Sequence, residues 1–198
     1  SVDGFHMCAT KSEGYQGQSF NCVIATESST LSLARCNLTS ESDGFVATVG
    51  ISGGASGNLN KCCVRDGRFG IAVMSKAKAT LEDNDIHSNS QAGVCVEGEG
   101  TQVVMRKNRI HDGKETGIRV SCKGKATLED NDIHSSAKAG VAVQGEGTVV
   151  VMRKNRIHDG KQGGVNIATK ATATLEDNAI HSNAKIGVQV QGEGSEAV

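Results

Sequence analysis

The sequence predicts an all-β fold, a single-stranded parallel β-helix of about seven to eight coils of 23–24 residues, and three observations predict it. A ten-residue segment, Ala79 to Ser88, returns 47 residues later as Ala126 to Ser135 and again as Ala173 to Ser182, changed only where Asp85 and Asp132 give way to Ala179. Between the copies, Val104 to Lys114 recurs as Val151 to Lys161, and Gly70, Gly93, Gly117, Gly140, Gly164 and Gly187 follow one another at 23 or 24 residues. A period in that range marks a solenoid or array. Within each unit apolar residues alternate with a period of two, as in Val94 and Val96 or Ala79 and Leu81, which is the pattern of strands rather than helices. The leucine-rich consensus is absent, and a propeller blade would need about four strands in roughly 40 residues. One coil per repeat then stacks on the last at ~4.8 Å.

Taken in order, residues 1–69 follow the pattern loosely and read as irregular N-terminal coils. Gly4 to Met7 and Gly44 to Ala47 resemble the later Gly-Val-x-Val strands, but their spacing implies an insertion within Lys11 to Thr30. An added strand from Ser19 to Ile24 is expected there as a cap. Residues 70–198 are the regular coils, a 47-residue double repeat, and the whole of 1–198 reads as one domain with one continuous core. The sequence opens at Ser1 and ends where the next Met-Arg-Lys-Asn would begin, so a piece of a larger protein is expected. The last coil, with no cap in view, is open to end-to-end association.

Residues one coil apart become neighbours, which lets the stacking be tested on the outward positions. Glu82, Arg106, Glu129, Arg153 and Glu176 form one column, and Asp83, Lys107, Asp130, Lys154 and Asp177 the next. Sign alternates from coil to coil, as cross-strand pairing favours. The 47-residue unit is thus an acidic coil plus a basic coil. Asn84, Asn108, Asn131, Asn155 and Asn178 form a structural ladder, since an amide can donate and accept along the axis. Cys36 and Cys62 stand in that column in the earlier coils.

A net charge of −1 argues against a nucleic-acid or membrane-surface partner, and no apolar run is long enough for a membrane span. Seven cysteines without metal-ligand spacing favour reduced thiols and an intracellular location, although a Cys36–Cys62 bridge is stereochemically conceivable. No cofactor motif is present. Gly50 to Gly54 matches a nucleophile elbow in spelling only, because no helix follows it. His87, His111, His134, His158 and His181 occupy one position of successive coils. His111 and His158, followed by Asp112 and Asp159, are the candidates for a metal, but no coil of the column stands out, so no metal is expected.

The coil Leu-Glu-Asp-Asn-Asp-Ile-His, then Gly-Val-x-Val, then Met-Arg-Lys-Asn-Arg-Ile-His-Asp-Gly-Lys resembles the right-handed β-helix repeats of the pectate-lyase-like superfamily. It is most similar to those of the F-box-only proteins of the eleventh type. The resemblance covers about Asn58 to Val198 and implies a right-handed β-helix; in the F-box family it implies a substrate-recognition role. An F-box helix is absent from this sequence, as are the proline-containing lyase motif and the polygalacturonase motifs. The expectation is therefore a non-enzymatic scaffold that binds a protein. The alternative is a polysaccharide-binding or degenerate lyase-like module. The outward residues that differ between copies mark the binding face: Cys95, Arg119, Ala142, Asn166 and Gln189, with Glu115 in an entering loop.

Overall fold

The computed structural model describes residues 2–3, 6–9, 22–40 and 47–198. The described residues form three parallel sheets of nine, eight and eight strands. A regular coil contributes one strand to each, as Lys78–Glu82, Asp85–His87 and Ala92–Glu97 do before Gln102–Arg106 returns to the first sheet. In the regular coils each strand pairs with the strand 23 or 24 residues on, so Leu81 lies against Met105, Ile86 against Ile110 and Val94 against Ile118. The inward residues build one core from end to end: Leu81, Met105, Ile86, Ile110, Val94 and Val96 are all essentially inaccessible. Burying each such side chain contributes about 1.5–3 kcal/mol, and stacking makes that gain continuous rather than local.

Corners are fixed by backbone conformation as much as by packing. The second charged column sits on the first corner, where Asp83, Lys107, Asp130, Lys154 and Asp177 all have φ of 53–55°. The inward asparagine beside it compensates the strained turn. Asn131 Nδ2 donates to Met105 O (3.0 Å) and Asn155 Oδ1 (2.9 Å), while its Oδ1 accepts from Asn108 N (3.0 Å) and Asn108 Nδ2 (2.9 Å). Asn84 begins the ladder by accepting from Cys62 N. Cys36 and Cys62 stack below it as buried thiols outside any disulfide, each turned to a carbonyl of its own coil. The period-setting glycines have a steric cause: a Cβ on Gly117 would lie 2.6 Å from Gly140 O and 2.9 Å from Ile133 Cγ2.

The N-terminal coils depart from the alignment expected of them. His6–Ala9 pairs with Asn37–Ser40 in the second sheet, not with the Gly-Val-x-Val strands of the third. In the third sheet Val49 and Gly50 lie against Ile71 and Ala72, so the counterpart of Gly70 is Thr48 rather than Gly44. Val49 and Ile51 are fully buried, and two β-branched residues at inward positions decide the register over the isolated glycine. Val23–Ala25 is the third-sheet strand of its own coil, paired with Ala47–Ile51, and not an addition to it. The expected cap falls mostly outside the described residues. At the other end, Val188 and Val190 sit at inward positions yet are about 40% exposed (39% and 44%).

Candidate functional site

The three outward faces differ in kind. On the first, side chains pair along the stack: Arg106 Nε donates to Glu129 Oε2 at 3.0 Å and Arg153 Nε to Glu176 Oε2 at 2.6 Å. On the second, the histidine rings stack face to face with centroids 4.9–5.1 Å apart. His111 Nε2 faces Asp85 Oδ1 (2.9 Å) and its Nδ1 faces Asp112 Oδ2 (2.7 Å); Asp132 and Asp159 hold His158 in the same way. Both ring nitrogens of His111 and of His158 thus face carboxylates. Hydrogen bonding to the rings holds the carboxyls of Asp112 and Asp159 below the usual range. Burial, and then the neighbouring His111, pull His134 below its ordinary value.

The third face is concave. Register places Gly50, Ala72, Cys95, Arg119, Ala142, Asn166 and Gln189 in one outward column. Although these positions point away from the core, Ala72, Cys95 and Ala142 are almost fully buried. Ala72 and Cys95 join Ala47 in a small apolar cluster under the half-buried Phe69 and Met74. Small side chains thus make a floor and larger ones walls. Arg119 crosses that floor: its guanidinium carbon lies 5.1 Å from the Phe69 ring centre, and Nη2 donates to Cys95 Sγ at 3.4 Å. Burial raises the Cys95 thiol, against the opposing pull of Arg119, which keeps it a thiol rather than a nucleophilic thiolate.

Two depressions lie in line along this face. One, of about 520 Å³, is bordered by Phe69, Ala72, Glu97 and Arg119; the next, of about 230 Å³, by Lys138, Ala142, Gln162, Asn166, Lys185 and Gln189. Arg119 Nε and Asn166 Oδ1 are buried without a hydrogen-bond partner. Five of the six residues expected to bind, Cys95, Arg119, Ala142, Asn166 and Gln189, come together in the column. Glu115 lies at the rim, its carboxylate 2.7 Å from Lys138 Nζ.

Sequence reasoning missed Phe69, Glu97, Lys138 and Lys185. Phe69 and Glu97 lie at strand ends, while Lys138 and Lys185 stand in the loop entering the strand, at the position that Glu115 and Gln162 hold in other coils, so the variation of that loop is the signal for the lysines.

The sequence matches the family described as right handed beta helix region over residues 12–151 and 101–198. The chain belongs to that family. No curated protein matches it. Two solved structures of the periplasmic alginate epimerase AlgG are similar to this β-helix, each at 12% sequence identity. A mutant form gives a TM-score of 0.64 over 84% of this chain and 46% of the epimerase. The other gives 0.58 over 80% and 48%. The chain thus spans about half the length of the structures it matches.

These findings support the broader resemblance, to right-handed β-helices, and not the narrower one to F-box-only repeats. They also correct the expectation of a non-enzymatic module. The similar structures are those of an enzyme, so the lack of lyase and polygalacturonase motifs does not argue against catalysis on this scaffold.

Proposed function

We propose that this β-helix is a carbohydrate-active module that takes an acidic polysaccharide along the groove of its third sheet. The observation that carries the reading is the groove itself, two aligned depressions floored by small residues and bordered by Arg119, Lys138 and Lys185. An extended polymer matches a row of equivalent sites one coil apart, where a compact ligand would fill only one. Amides at Gln144, Gln162, Asn166 and Gln189 supply donors and acceptors for hydroxyls, and the cations suit sugar carboxylates. Similarity to an alginate epimerase favours this reading over a protein partner.

Titration with alginate, polygalacturonate and neutral dextran tests it. Binding of the acidic polymers and not of dextran is expected, weakened at least about tenfold by Arg119→Glu, which costs one charge-assisted hydrogen bond and adds a repulsion. Lys154→Ala, on a corner away from the groove, is the control. Equal binding by wild type and Arg119→Glu, with loss in the control, overturns the assignment of the face. Comparing the polymer before and after incubation reads whether its sugar composition changes.

A further inference from the structure

The histidine column is not uniform at its lower end. At His111, His134 and His158 the ring's Nε2 leans diagonally to the residue of the preceding coil that lies two positions before the ring's neighbour. His111 meets Asp85 there, His134 meets Arg109 at 3.3 Å, and His158 meets Asp132. By the same diagonal, His87 meets a thiol: Cys63 Sγ lies 3.6 Å from His87 Nε2. Asp85 is the in-register neighbour of Cys63, and the ligand atoms of Cys63, Asp85 and His87 all lie within 4.8 Å of one another.

From this geometry we propose that Cys63, Asp85 and His87 form a binding site for one zinc-like divalent cation, with a fourth position left to solvent. Thiolate, imidazole and carboxylate are the ligand set of tetrahedral zinc, and three protein ligands plus an open position is its usual reactive arrangement. Zinc–sulfur and zinc–nitrogen bonds of ~2.3 and ~2.05 Å at the tetrahedral angle span about 3.5 Å, which is the sulfur–nitrogen separation already in place. His87 is oriented for ligation. Its Nδ1 lies 3.0 Å from Ser88 Oγ, the arrangement His134 has with Ser135, where Nε2 accepts from Arg109 and Nδ1 must be the N–H. With Ser88 Oγ accepting from Nδ1 in the same way, the Nε2 lone pair of His87 is left to face Cys63, and the serine serves as the outer partner of a ligating histidine.

Asp85 engages His111 through Oδ1 and has its second oxygen for the metal. Arg65, paired across the strand with His87, is the competing cation: it reaches both Asp66 and the Cys63 thiol, and a bound metal must displace it from the sulfur. All three ligands are half-buried, so solvent can supply the ion and the fourth ligand.

Titration of the metal-free protein with Co²⁺ tests this, because cobalt adopts zinc's geometry and reports a bound thiolate by its charge-transfer absorption. One equivalent is expected to give that absorption and Zn²⁺ to displace it. Cys63→Ser should abolish the band, and His87→Gln should weaken binding at least about tenfold. Cys62→Ser and Cys122→Ser should leave both unchanged, and melting curves of all four variants establish that they fold. Absence of a stoichiometric thiolate band in the wild type, or its persistence in folded Cys63→Ser, overturns the site.

Discussion

Asn131→Ala is the sharpest test of what holds the coils in register. Its side chain makes four hydrogen bonds and is 1% exposed. Not all four partners are orphaned by truncation. Asn155 Oδ1 still accepts from Asn131 N, and Asn108 Nδ2 still donates to Leu81 O. Asn108 N–H, whose acceptor is Asn131 Oδ1, is left unpaired in a buried place, which costs about 1–3 kcal/mol. Losing the other three bonds at about 0.5–1 kcal/mol each brings the total to about 2.5–6 kcal/mol. Asn178 offers an internal control. It makes the same bonds to Asn155 and Met152 O but is partly exposed, so water can replace the lost amide, and Asn178→Ala should cost about 1–2 kcal/mol. Urea unfolding with the slope held in view measures both. Equal losses at the two positions, or a loss under about 1 kcal/mol at Asn131, would refute the view that buried amides carry the stack.

Other perturbations address the remaining columns. Glu129→Arg removes the partner of Arg106 and sets three arginines in register, from Arg106 to Arg153; a loss of about 1 kcal/mol that shrinks with added salt is expected in thermal melts at two ionic strengths. Gly117→Ala drives a Cβ onto the Gly140 carbonyl and should cost about 1–3 kcal/mol, whereas Gly113→Ala, with its nearest atom 3.6 Å away, should be within about 0.5 kcal/mol of wild type. The folded-state value of His134 lies below its ordinary 6.5, so the unfolded chain binds the proton first; stability present above pH 6.5 is lost as pH falls through the folded value. The stability difference between wild type and His134→Gln should therefore shrink between pH 7 and 5, and a growing difference would contradict the assignment. Asp112 and Asp159, held below 3.8, add a second loss only as pH falls below that point.

Much of the architecture was legible because translation along the stack turns sequence period into contact. Glu129 was expected opposite Arg106 and Arg153, and the strands place it there. Where a coil has no copy, the method had nothing to compare: Gly44 looked like Gly70, but the buried pair Val49 and Ile51 set the register four residues further on. Divergence between copies pointed to the third face yet said nothing of its depth, which comes from Phe69 and Met74 standing over Ala72 and Cys95. The Cys63–His87 approach was hidden for another reason. Sequence columns run straight up the stack, while the histidines lean diagonally by two residues, so the period alone does not set the cysteine at the foot of the column beside its ring.

That diagonal also accounts for which faces could vary. On the first two sheets an outward residue answers to copies above and below it: Asp85 bonds His111, and Arg109 bonds His134. Changing one such residue leaves a partner unpaired in the next coil, so substitution there is penalised beyond its own site. The alternation of Asp and Arg across the histidines then requires two coils before the pattern repeats, which is why the sequence duplicates in units of 47 rather than 23 or 24 residues. On the third sheet Ala142 and Gln189 make no hydrogen bond or ion pair to a neighbouring coil among the described residues, and Ala72 meets its neighbours through apolar packing alone, so replacing one leaves no polar partner unpaired. Recognition can change there without weakening the stack. A polymer lying along this face meets a different side chain at every coil, Cys95, Arg119, Ala142, Asn166, so its position along the groove would be set by where its charges find Arg119 rather than by the repeat itself.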